Sequence, residues 1–427
     1  MIQESVKRLL HHVNNEDNHT HQFSPSIYMV PSILRDLSPS SFNPQLVSIG
    51  PLHRENENVK AFERQKISYL INLMSYIKSP QEEILESCMQ KAYSVINKIK
   101  GCYIWTKAFT DAEIAEMMVM DACFMLGFMI KINPLLSENS YMGKELQLGT
   151  IIHDLMLLEN QIPLFFLDEM FQLTVMKLRS DISFIQLIKP VIVYNNFFKA
   201  KLKFDNVSFG TSDHFLSLLH QCYMPPDNIK KDYSTKIIHS AIDLDRAGVN
   251  FKPSEDPTWV MGIEVKQNRF PCLFWYWNRP TVTMPVLSVD DTTEFLFRNL
   301  IAYEQSFQTQ GYVTSYAIAI DMLVNTHDDV AKLVESKVLV NYMGSNEEVA
   351  NMINNIGKNV SCVDSYYDQE WEILNKYYNG YWPNHIATMR RTYFSSPWSI
   401  IALVAGIILF VLQVLQTIFT IKSQRIE

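Results

Sequence analysis

The chain has 427 residues, 47% hydrophobic and 19% charged, enough apolar material to build a large core. Its formal charge of −8, without a basic cluster, excludes nucleic acid as a main partner, because phosphate binding needs a basic face. With 13 glycines and no glycine-rich phosphate loop, H-E-x-x-H, C-x-x-C or G-x-S-x-G motif, the sequence points to no nucleotide cofactor, metal site or nucleophile elbow.

Residues 1–22 are polar and rich in histidine (His11, His12, His19, His21), which reads as a flexible tail without the apolar region of a signal peptide. Residues 23–395 read as one mainly helical domain. From Val59 the positions Phe62, Leu70, Leu73, Met74 and Ile77 recur at helical spacing, with Glu63, Arg64 and Lys66 off that stripe. Glu113–Ile130 is apolar nearly all round and predicts a central helix. A third helix is predicted over Leu148–Glu159, a fourth with Pro163 at its first position, and a short one over Thr211–Leu219.

The period then changes. Met261, Ile263 and Val265, then Val282, Met284 and Val286, alternate with other residues on either side of the turn signal Asn278-Arg279-Pro280. This predicts a small β region near 258–288. Helical spacing returns at Thr292. Trp398–Ile421 runs 24 residues without an Asp, Glu, Lys or Arg, which predicts a transmembrane helix over 396–421 and a short tail over 422–427. The fold class is therefore mainly α with a small β insert, one large helical domain followed by a single C-terminal transmembrane helix.

A span so close to the end would insert after translation and leave the bulk of the chain in the cytosol, at the plasma membrane or the endoplasmic reticulum. Six scattered cysteines (Cys88, Cys102, Cys123, Cys222, Cys272, Cys362) suit a reducing compartment, while sequons at Asn18, Asn206 and Asn359 point the other way. Ala402 and Gly406 lie four apart, and Gln413 and Gln416 extend the same face, so the span offers a surface for self-association. The alternative is a plain anchor with both glutamines near the headgroups.

Four acids interrupt apolar helical faces: Asp121, Asp154, Glu159 and Glu304. An ionised carboxylate in such a place costs several kcal/mol unless it is paired or hydrogen-bonded. The expected arrangement is a buried polar network that also draws in Asn160, Gln161 and Arg298; a catalytic or ligand site is the alternative. In "DDTTEFLFR", Asp291 as N-cap and Glu294 at N3 predict a capping box, and Glu294 with Arg298 an i,i+4 pair. His153-Asp154 resembles the central pair of metal phosphohydrolases, but the further ligands would have to come from histidines such as His214 and His220.

The blocks "VPSILRDLSPSSFNPQLVSIGPLHRENENVKAFERQKISYL", "MMVMDACFMLGFM", "DLMLLENQIPLFFLDEMF", "SAIDLDRAGVNFK" and "MPVLSVDDTTEFLFRNLIAYEQ" resemble, in order, those of one plant family. It is known only as domain of unknown function 247, and the resemblance covers residues 28–420. Departures occur at Leu52 and Arg54, where the family reads Gly-Pro-Tyr-His-His, at Phe62-Glu63-Arg64-Gln65-Lys66, where it favours Met-Glu-x-His-Lys, and at Ala122 and Gly127, where it reads Asp-Gly-Cys-Phe-x-x-Glu. The family has no established enzymatic activity, and some grass members are implicated as pollen-side determinants of self-incompatibility. The resemblance thus implies a membrane-anchored plant protein that acts by protein–protein interaction in recognition or signalling, not an enzyme. The alternative is a membrane-tethered hydrolase using the buried carboxylates.

Overall fold

A computed structural model describes residues 4–7, 25–77, 79–105, 107–136, 146–204, 207, 209–210, 213–227, 229, 239–255, 257–266, 280–305, 309–361, 365–380 and 397–423. The longer helices are α1 (Glu63–Tyr76), α2 (Gln81–Ser94), α3 (Asp111–Ile132), α4 (Leu146–Asp154), α5 (Leu164–Leu173), α6 (Phe184–Tyr194) and α7 (Phe215–Cys222). They continue with α8 (Thr293–Glu304), α9 (Tyr312–Leu323), α10 (His327–Glu335), α11 (Asn346–Ile356), α12 (Asp368–Tyr378) and α13 (Pro397–Ser423). The strands are β1 (Asn250–Pro253), β2 (Glu264–Lys266), β3 (Thr281–Met284), β4 (Leu287–Val289) and β5 (Leu339–Asn341).

The first half is organised around α3. A capping box fixes its start: Thr110 accepts from the Glu113 amide, and Glu113 accepts from the Thr110 amide. Its side chains are buried nearly all round, and α1, α2, α5 and α6 pack against it. In the second half α8 takes the same place, touching α7, α9 and α11. One apolar cluster extends from Ile27 to Leu374, so the two halves share a core.

The β structure reaches beyond 258–288. β3 pairs in parallel with β1 and antiparallel with β2, while β4 pairs in parallel with the distant β5. Parallel partners arrive from far along the chain, so local alternation does not announce them. The turn residues Asn278 and Arg279, the four tail histidines, Cys272, Cys362, Asn18 and Asn206 lie outside the described residues.

Two boundaries move. α4 ends at Asp154 rather than Glu159, because side-chain amides take the carbonyls that a longer helix would use: Asn160 Nδ2 donates to the Asp154 carbonyl at 2.9 Å, and Gln161 Nε2 to those of Leu155 and Leu157, just past the helix, at 2.7 Å each. Pro163 is the extended residue before α5 (ψ 132°), not its first helical position.

The end of the chain requires a correction. Among the described residues no helix is long and apolar enough to cross a membrane, so the transmembrane helix expected over 396–421 is not found. The single-pass placement in plasma membrane or endoplasmic reticulum loses its basis with it. Ala402, Gly406, Gln413 and Gln416 are exposed residues of α13, and nothing lies within 4 Å of a Cβ built on Gly406.

Candidate functional site

Residues 45–50 form neither helix nor strand, yet Val47, Ser48 and Ile49 are at most 1% exposed. Buried backbone groups need partners. Here side chains supply them. Asp154 Oδ1 accepts from the Gln45 amide at 2.9 Å, and Oδ2 from the amides of Leu46 and Val47 at 2.8 Å each. Asn160 Oδ1 accepts from the Ile49 amide at 2.6 Å, and its Nδ2 donates to the Val47 carbonyl at 2.9 Å. Lys66 Nζ donates to the Ser48 carbonyl, and Asp121 Oδ2 accepts from the Gly50 amide at 2.8 Å. Gly50 has φ +70°, and a Cβ on it would stand 2.6 Å from the Gln161 carbonyl oxygen, so the close approach needs glycine. Gln161 Oε1 meanwhile accepts from the Phe215 amide at the start of α7, at 3.0 Å. The acid and amides of "DLMLLENQIP" do what a neighbouring strand would do for this segment.

Charge is balanced at one end of the clasp. Asp121 and Lys66 are both fully buried and 2.6 Å apart. Glu63 bonds Lys66 at 2.7 Å and Arg54 at 3.0 Å, and Arg54 reaches Asp121 at 3.4 Å, closing a quartet of two acids and two bases. Lys66 was expected off the apolar stripe; its spacing of four from Phe62 and seven from Leu73 instead places it on the buried face. Glu159 has a separate set of partners: the Val30 amide at 2.6 Å, Arg35, and His53 Nε2 at 2.8 Å. Burial pushes the Asp154 carboxyl up to about 6, against the pull of its three amides and of His53.

Glu304 and Arg298 lie elsewhere. Glu304 accepts from the amides of Val313 and Thr314 at 2.8 and 2.6 Å, which places an acid on the positive end of α9. His220 Nε2 is 2.8 Å from Glu304, and its Nδ1 is 2.7 Å from the Tyr312 hydroxyl. This hydroxyl–imidazole–carboxylate row is sealed: its three residues are at most 6% exposed. Arg298 does not reach Glu159 or Asp154; it bonds Glu294 at 2.8 Å and the Asn355 carbonyl at 3.4 Å. Position 299 does join the clasp. Asn299 accepts from the Leu158 amide at 2.9 Å and donates to the Ser41 carbonyl at 2.7 Å. Its sign in the sequence is a polar residue beside Leu296 and Leu300 on the buried side of α8.

The start of α8 differs from expectation. Its N-cap is Thr292 without a side-chain cap bond, and Asp290, not Asp291, accepts from the Thr292 amide at 2.9 Å and from the hydroxyls of Thr292 and Thr293. Asp291 is exposed. It borders a cleft of about 500 Å³ together with Glu294, His153 and Asp154. The His153 ring lies 5.2 Å from that of Phe295 and 5.7 Å from that of Tyr194, and burial lowers its pKa, opposed by Asp290. His214 and His220 are not its neighbours in a ligand set: His214 caps α7 and His220 pairs with Glu304. Among the described residues no group of three or more His, Cys, Asp or Glu could hold a metal ion.

Comparison with known proteins identifies the family. The family described as "Plant protein of unknown function" matches residues 27–412, and the chain belongs to it. A UPF0481 protein of Arabidopsis thaliana is 26% identical over 425 residues, covering 93% of this chain and 86% of its own. A putative UPF0481 protein of the same plant is 24% identical over 505 residues, covering 94% and 91%. No solved structure matches the chain.

Proposed function

We propose that the chain acts by binding a protein partner, in recognition or signalling, and not as an enzyme. The observation that supports this reading is the occupancy of its buried acids. Asp121 and Glu159 are held by cations and amides, and Glu304 by amides and His220, leaving no free oxygen for a substrate proton. A hydrolase reading has one point in favour: Asp154 borders a cleft, and its pKa of about 6 suits a general acid. Against it, both Asp154 oxygens already accept backbone amides and hold residues 45–47 in place.

Proximity labelling with the full chain in plant cells, paired with affinity capture, is the test. The expected result is a discrete protein partner retained through washing. A hydrolytic activity of the purified chain that disappears in Asp154→Asn, with the folded state intact, would replace this reading with the enzymatic one.

A further inference from the structure

The cleft between α4 and the start of α8 has a marked chemical bias. Asp291, Glu294 and Asp154 border it, and among the described residues no lysine or arginine does. Tyr194 and Phe295 contribute aromatic rings next to His153. The imidazole does not offset the acids, because burial lowers its pKa and leaves it uncharged at neutral pH. Arg298 engages Glu294 through Oε1 from the buried side, while the Glu294 side chain keeps 37% of its surface exposed. Acids beside aromatic faces attract a diffuse organic cation, and a planar guanidinium both stacks and hydrogen-bonds there.

We propose that this cleft receives the guanidinium of an arginine in a basic segment of a protein partner. The proposal rests on the interaction reading above and adds where the partner docks and what it presents. Tyr194, 36% exposed, offers a ring face, and Asp291 and Glu294 offer carboxylate oxygens at the mouth. Asp154 adds negative field from within, since its ionised form has amide partners but no paired cation in the way Asp121 has.

The full chain is titrated with a fluorescent, end-blocked Gly-Arg-Gly peptide, its citrulline counterpart and spermidine. The arginine peptide is expected to bind at least about fivefold more tightly than the citrulline one, the upper end for an exposed ion pair. Asp291→Asn and Glu294→Gln should each weaken it by up to about fivefold, and Tyr194→Leu by roughly two- to fivefold. Glu86→Gln, an exposed acid on α2, should leave binding unchanged. Thermal unfolding of each variant checks that the fold persists. Equal binding of the citrulline peptide, indifference to the cleft variants, or binding of spermidine without the peptide would overturn the proposal. A captured partner whose retention survives Asp291→Asn with Glu294→Gln would overturn the cleft while keeping the interaction reading. Peptide binding with no captured partner would do the opposite.

Discussion

Asp121 and Asp154 grip the two ends of one buried segment by different chemistry. At Gly50, Asp121 shares its charge with Lys66 and Arg54, and Glu63 completes a neutral set. At residues 45–47, Asp154 faces three amides, and burial raises its carboxyl to about 6. Amide dipoles satisfy hydrogen-bonding capacity without cancelling charge. One end of the clasp is therefore an ion-pair lock, and the other stays electrically unbalanced next to the cleft.

The largest effect is expected at the lock. Lys66→Met leaves Asp121 and Glu63 without their buried partner and should cost about 3–5 kcal/mol in urea unfolding. Adding Asp121→Leu should recover part of that loss, since an apolar pair replaces a buried ion pair at little net cost. If Lys66→Met unfolds at the same urea concentration as the parent, the two ends are not different in kind.

Asp154 sharpens the contrast through pH. Its folded pKa lies above its unfolded value, so its contribution to stability is full below the unfolded value of 3.8 and is lost as pH rises through about 6. A rise from 3.8 to about 6 corresponds to about 3 kcal/mol. The stability of the parent relative to Asp154→Asn should therefore improve between pH 7 and pH 4, and carbon-13 titration should find the carboxyl near 6. A titration below 4 would mean that the amides outweigh burial. Asp154→Ala, which strands three backbone donors, one of them fully buried, should be destabilising at every pH, by about 1–3 kcal/mol at neutrality.

The smallest effect separates neighbours. Asp290→Ala removes the oxygen that holds the start of α8 and should cost about 1 kcal/mol, while Asp291→Ala should stay within about 0.5 kcal/mol. Matching melting curves for the two variants would show that neither acid matters to the helix start.

Much of this was legible in the sequence, and the missing part has one physical character. Helical spacing located α1, α3 and α8, and the cost of burying charge singled out Asp121, Asp154, Glu159 and Glu304. The partners were not legible. Lys66, Arg35, His53 and Asn299 meet their acids and amides across separations of 55 to 141 residues, and no local period encodes a contact of that range. The helix begins one residue later than expected, with Thr292 and not Asp291 at the N-cap, and Asp290 holds the turn before it, a shift that pattern alone does not resolve. The run of uncharged residues at the end of the chain was read as a span from composition. Among the described residues no helix is long and apolar enough to cross a membrane.

The clasp also sets a timetable for synthesis. Segment 45–47 leaves the ribosome 107 to 109 residues ahead of the aspartate that will hold its amides. At about 5–20 residues per second that gap lasts roughly 5–20 s. Throughout it the amides of Leu46, Val47 and Ile49 have no native acceptor, and closing so long a loop adds an entropic barrier. The nascent protein is thus most open to misfolding and chaperone capture early, until residue 160 has emerged and the first fifty residues can settle.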